Sequence, residues 1–263
     1  MSDNRNDDGA RLGGLWTPAR LIAAAVGVLA GVLIYLVGLP SSPSLFGTPL
    51  SDLTLPMALF VGGVVVSVVA STATPGRWRI VDIVVASVLG VAGGLVFTAW
   101  NAGSAPMRAA MTAPASAIIV GVWLFPAVLG MLIVRRPGAA VYTELVAAVL
   151  SALTGNEWGF ATVWYGLVEG LGAEVVFALL LYRRYGLPAA LFAGAGAGVA
   201  VGLLDSLIYY PDTLDTLGRL VYIGIAIASG VIIAGWGSWV LTRALARTGT
   251  LAPLASGRAA ERV

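Results

Sequence analysis

Cysteine, histidine and lysine are all absent from the 263 residues. Without cysteine there is no disulfide, thiol nucleophile or thiolate metal ligand. Without histidine there is no imidazole base, no His-based triad and no imidazole metal site. The missing lysine rules out a G-x-x-x-x-G-K-[ST] phosphate loop, so any ATP-driven role must borrow its energy from another subunit. Charge is scarce as well. Only 11% of residues are charged, where a soluble domain carries about a quarter. Apolar residues make up 59% and the mean hydropathy is +0.92. Lipid is the solvent that suits this composition, and no metal or cofactor is expected.

A helix crosses the bilayer core with roughly 20 apolar residues. Runs of that kind fall at Ala19–Leu39, Leu53–Ala73, Ile80–Asn101, Ala115–Val134, Gly138–Thr154, Phe160–Tyr182, Pro188–Tyr209 and Leu220–Thr242. The fifth is short, but Pro137 before it and Gly155-Asn156 after it mark a helix start and stop. The expected fold is therefore all-α, a polytopic membrane protein of about eight transmembrane helices. Residues 1–18 are polar and acidic and read as a disordered cytoplasmic tail, with 247–263 as a cytoplasmic C-terminal tail.

All 15 positive charges are arginine. With a cytoplasmic N-terminus, Arg5, Arg11, Arg20, Arg77, Arg79, Arg135, Arg136, Arg183, Arg184, Arg243, Arg247, Arg258 and Arg262 lie inside, and only Arg108 and Arg219 lie outside. This positive-inside bias supports eight spans and a multi-pass location in the plasma membrane with both termini cytoplasmic. The arginines thus encode topology and give no sign of a nucleic-acid-binding face.

Small residues recur at every fourth position, as in Ala86-xxx-Gly90-xxx-Gly94, Gly166-xxx-Gly170 and Gly194-xxx-Gly198-xxx-Gly202. Such stripes let helix backbones approach closely. They serve either internal packing or docking to a partner subunit, and the stripe of Ala86, Gly90 and Gly94 is the one assigned here to a partner.

Acids within the apolar runs carry the most information. Glu144 lies in the fifth run, Glu169 and Glu174 in the sixth, and Asp205 in the seventh, with no arginine at those depths. An ionised side chain at the bilayer centre costs at least about 2.5–3.5 kcal/mol. Such acids imply protonation, a water-filled cavity or a cationic guest. Glu169 and Glu174 stand about 140° apart around a helix, so only one of them faces a shared pocket, and Glu169 is the choice. Asp82, near a helix end, is expected to pair with Arg77 or Arg79. Aromatics gather in the same outer half: Trp100, Trp158, Trp164, Tyr165, Tyr209 and Tyr210. An interfacial belt accounts for several of them, but aromatic faces beside carboxylates also suit a flat cationic heterocycle. Asn101 and Asn156 are placed to hydrogen-bond ring nitrogens or an amino group. Helix capping is the plainer role for Asn156.

The stretch Arg135 to Gly159 (RRPGAAVYTELVAAVLSALTGNEWG), followed by Gly166 to Ala178 (GLVEGLGAEVVFA), resembles the signature of YkoE-type S-components. These are the substrate-binding membrane subunits of energy-coupling-factor (ECF) ABC importers for thiamine or hydroxymethylpyrimidine. Arg77 to Phe97 resembles the opening helix of that family, and the likeness covers about Arg77 to Thr250. It implies a six-helix core over 77–246, preceded by two extra transmembrane helices over 19–76. It also implies a transmembrane T-component and two cytoplasmic ATPases as partners. The expected substrate site comprises Glu144, Asn156, Glu169, Trp158, Tyr165, Trp100, Asn101 and Asp205. The implied substrate is thiamine or its pyrimidine precursor, and no enzymatic activity is expected. The competing readings are a proton-coupled carrier that uses the buried acids as a relay and a membrane scaffold with structural carboxyls.

Overall fold

A computed structural model describes residues 44–45, 48–72 and 78–260, with side chains over 61–72 and 78–257. The first apolar run, Ala19–Leu39, the N-terminal tail and Arg77 lie outside the described residues.

Seven apolar helices follow in order: α1 (Leu50–Thr72), α2 (Ile80–Ala110), α3 (Ala113–Val134), α4 (Ala139–Leu153), α5 (Ala161–Leu179), α6 (Leu187–Tyr209) and α7 (Thr216–Arg247). A short helix, α8 (Ala255–Ala260), comes last. Among the described residues five of them, α2, α3, α5, α6 and α7, are long and apolar enough to cross a membrane. These seven match the second to eighth apolar runs. The main displacement is at α2, which runs on to Ala110 with Pro106 inside it. The exposed polar and small residues after Asn101 can leave the carbonyl freed by Pro106 to solvent.

The chain folds around α3. Of its most apolar window 78% is buried, against 28% for α2 and α7. It is not uniformly α-helical. Ala117–Val122 tightens into a 3-10 helix, and α6 and α7 contain π turns at Asp205–Tyr209 and Gly230–Trp236. Ser229 of α7 accepts the Gly121 N–H at 2.9 Å and donates to the Ile118 carbonyl at 2.6 Å, satisfying backbone of the 3-10 stretch.

Small residues set the helix contacts. A Cβ added at Gly170 would lie 2.9 Å from Val141 Cα of α4, and one at Gly172 would lie 2.6 Å from the Gly196 carbonyl of α6. At Gly198 it would lie 2.7 Å from the Ala226 carbonyl of α7. The stripe assigned to a partner does the same work and requires a correction. Ala86, Gly90 and Gly94 are buried, and Cβ atoms at Gly90 and Gly94 would meet the Thr143 and Ala147 carbonyls of α4 at 2.9 and 2.8 Å. The stripe therefore seats α2 on α4 within this chain. The face of α2 left uncovered is aliphatic, with Val84, Val88, Val91 and Leu95 exposed, beside a shallow apolar groove of about 340 Å³ against α4.

The bundle has an arginine-rich end and an arginine-poor end. At the rich end Asp82 pairs with Arg79 at 2.7 Å and Arg136 at 3.1 Å, and the Trp78 indole N–H donates to the Pro137 carbonyl at 3.0 Å. Arg79 meets the sequence-based expectation; Arg136 is an addition from the α3–α4 turn. At the poor end Arg108 pairs with Glu157.

Candidate functional site

The arginine-poor end holds an aromatic cluster drawn from five elements. The Trp123 ring of α3 stands edge-on to Trp100 of α2, with centroids 6.5 Å apart, and to Trp158 of the α4–α5 loop at 6.0 Å. Trp158 donates its indole N–H to the Tyr209 hydroxyl at 3.1 Å. Tyr209 in turn lies edge-to-face with Tyr210, at 4.7 Å. The Arg108 guanidinium sits 4.9 Å from the Trp158 ring centroid and 5.9 Å from that of Trp123, within cation–π range. The Trp100 indole N–H is buried without a partner.

Beneath the rings lies an amide layer. Asn101 accepts from the Trp123 indole N–H at 2.9 Å and donates to Ser151 Oγ at 3.2 Å. Asn156 also donates to Ser151 Oγ, at 3.1 Å, and its carbonyl oxygen accepts from the Trp158 backbone N–H and the Thr162 hydroxyl. Both asparagines expected at the site thus converge on one serine hydroxyl. Asn156 does not cap a helix, the plainer role read from the sequence, since α5 starts after Phe160; it braces the α4–α5 turn instead.

The acids lie deeper. Ser151 and Glu144 are seven residues apart on one face of α4, about 10 Å along the axis. Glu144 is fully buried. Its Oε2 accepts the Ala127 N–H of α3 at 2.8 Å, while its Oε1 has no partner. Asp205, at the opening of the α6 π turn, accepts the Tyr222 hydroxyl of α7 at 2.5 Å. Glu169 is 5% exposed, and its principal electrostatic neighbour is Asp205. Among the described residues no donor hydrogen-bonds to Glu169. Glu144 also feels the charge of Glu169. The Tyr165 hydroxyl is buried beside Glu169 and Asp205 and interacts with the Asp205 carboxyl. The three acids therefore form one buried acidic tract with spare hydrogen-bonding capacity: a free carboxyl oxygen on Glu144 and the whole carboxyl of Glu169. That inventory is unusual for a buried region, where polar groups are normally satisfied. Among the described residues no metal-holding group of three acids forms.

Glu174, five residues after Glu169, does something else. Its carboxylate accepts the Gly138 N–H at 2.6 Å and the Ala140 N–H at 3.0 Å. These are free donors at the start of α4, where a negative charge also meets the positive end of the helix dipole. Gly138 adopts φ +87° there, a left-handed turn that glycine enters without strain. Glu174 therefore fixes α4 to α5 and takes no part in the acidic tract.

Four participants escaped the sequence reading: Trp123, Arg108, Ser151 and Tyr222. Trp123 and Tyr222 each stand within long apolar runs and read as lipid-facing or packing aromatics. The available signal was Asn101 and Asp205, polar groups that need donors once buried.

Comparison with known proteins gives a consistent picture. Residues 81–200 match the family model of the permease component of an ABC-type cobalt transport system. The provisionally named HMP/thiamine permease protein YkoE of Bacillus subtilis (strain 168) is 31% identical over 186 residues, covering 69% of this chain and 91% of that protein. A crystal structure of an S-component of an ECF transporter superposes with a TM-score of 0.68 at 29% identity, covering 71% of this chain and 94% of that one. These relatives are transport components and not enzymes. On the strength of the shared sequence, the shared fold and the apolar spans, the chain belongs to the YkoE-type S-component family of ECF transporters.

Proposed function

We propose that this chain captures thiamine, or its hydroxymethylpyrimidine moiety, at the arginine-poor end of the bundle and hands it to an ATP-driven importer. That end then faces outward, and the arginine-rich end faces the cytoplasm in accord with the positive-inside bias. The observation that carries the reading is Glu169: a buried carboxylate with no hydrogen-bond donor among the described residues, beside Asp205 and Glu144 and below three tryptophans. An amino-bearing or cationic ring supplies the missing donors and positive charge. Trp100, Trp123 and Trp158 supply faces and edges to hold it, and Asn101 and Asn156 read its polar rim. The permease name carried by the Bacillus relative supports the same ligand class.

Import then draws its energy from a T-component and two cytoplasmic ATPases, as membership of the family implies, since this chain has no phosphate loop of its own. The T-component meets the exposed aliphatic row of α2 (Val84, Val88, Val91 and Leu95) and not the buried glycine stripe.

Ligand-induced thermal stabilisation of the purified chain tests the proposal. Thiamine or hydroxymethylpyrimidine at about a hundred times its dissociation constant stabilises the folded state by about 2.7 kcal/mol. No shift with either compound contradicts it.

A further inference from the structure

The aromatic cluster already holds a planar cation, and that cation belongs to the protein. Arg108 projects from the last turns of α2 and is mostly buried, with 16% of its side chain exposed. Its guanidinium lies over Trp158 and Trp123, donates to Ser104 one turn back and pairs with Glu157 across the α4–α5 loop. The contact joins the end of α2 to the loop that carries Trp158. It therefore ties together the elements of the aromatic cluster, while the acids stay closed off from solvent. A delocalised cation stacked on these rings satisfies the same electrostatics that a cationic heterocycle would.

We propose that Arg108 is a built-in competitor: its guanidinium occupies the Trp123–Trp158 cage and must leave before a planar cationic ligand can stack there. Glu157 pairs with the guanidinium in this resting position and so sets how readily the cage opens. The inference rests on the site assigned under Proposed function. It adds that ligand affinity is measured against an internal rival, and that removing the rival favours charged ligands over neutral ones.

The test is calorimetric titration of the full purified chain with two probes, cationic thiamine and neutral hydroxymethylpyrimidine. Three proteins are compared: wild type, Arg108→Gln and Glu157→Gln. Arg108→Gln removes the rival charge while keeping a polar side chain. Thiamine should bind about three- to tenfold more tightly to it, as expected for one lost cation–π contact. Hydroxymethylpyrimidine should change by less than half as much on a logarithmic scale. Glu157→Gln leaves every cage residue in place and loosens the guanidinium, so it should shift affinity in the same direction. This second variant keeps the test sound if Arg108→Gln fails to fold.

Equal gains for both probes point to a simple steric lid and overturn the competitor assignment. Weaker thiamine binding in Arg108→Gln, or unchanged binding in both variants, also overturns it. If wild type binds neither probe, the functional reading itself fails, an outcome distinct from these.

Discussion

Glu174→Gln separates a structural carboxylate from a ligand-facing one on the same helix. In the wild type the charge receives N–H donors from Gly138 and Ala140 at 2.6 and 3.0 Å at the start of α4. Hydrogen bonds to charged groups contribute about 1.5–3 kcal/mol each. The amide oxygen of glutamine retains one acceptor, so one charge-assisted bond and the helix-dipole attraction are lost. The net cost is about 2 kcal/mol, on the order of 4–8 °C in unfolding midpoint for a chain of this size. Glu174→Ala leaves both donors buried and unpaired and should cost more. The assay is thermal unfolding in detergent, followed by thiamine titration of the folded fraction at low temperature. Reduced stability with unchanged affinity is expected. Full stability with lost affinity would refute the reasoning and move Glu174 into the site.

Other outcomes follow from the same geometry. Gly90→Leu drives side-chain atoms into the Thr143 carbonyl and Val146 and should destabilise the isolated chain by about 1–3 kcal/mol, as overpacking does; a stripe used only for a partner would leave the isolated chain unchanged. Tyr222→Phe deletes the 2.5 Å hydrogen bond to Asp205 and should weaken thiamine binding severalfold while keeping the fold. Unchanged affinity would detach Asp205 from the site. Thiamine should alter the tryptophan emission of the wild type through Trp123 and Trp158, and Trp123→Phe should remove most of that change.

Much of this architecture was legible in residue order alone. Apolar runs located seven of the helices, because lipid demands about 20 consecutive apolar residues and an intact backbone ladder. The arginines told which helix ends lie together, and Asp82 with Arg79 was legible there, whereas the pairs of Asp82 with Arg136 and of Arg108 with Glu157 emerge only from the fold. Glu169 and Glu174 diverged as their spacing required. The hidden part concerned partners across helices. A glycine stripe signals close approach but not to what, so Ala86, Gly90 and Gly94 read as an outward surface when α4 fills it. The π turn that presents Asp205 leaves no simple sequence mark. Trp123 is hidden for a related reason: only the pairing of α2 with α3 reveals that its indole N–H completes Asn101.

The central claim is that Glu169 is left without a hydrogen-bond donor because a ligand supplies one. Calorimetric titration of thiamine into wild type and Glu169→Gln tests it most directly. The account predicts saturable binding to wild type and a loss of about 10- to 100-fold in Glu169→Gln, the range expected for one charge-assisted contact, with thermal stability of the unliganded protein preserved. Wild-type affinity in Glu169→Gln would contradict it.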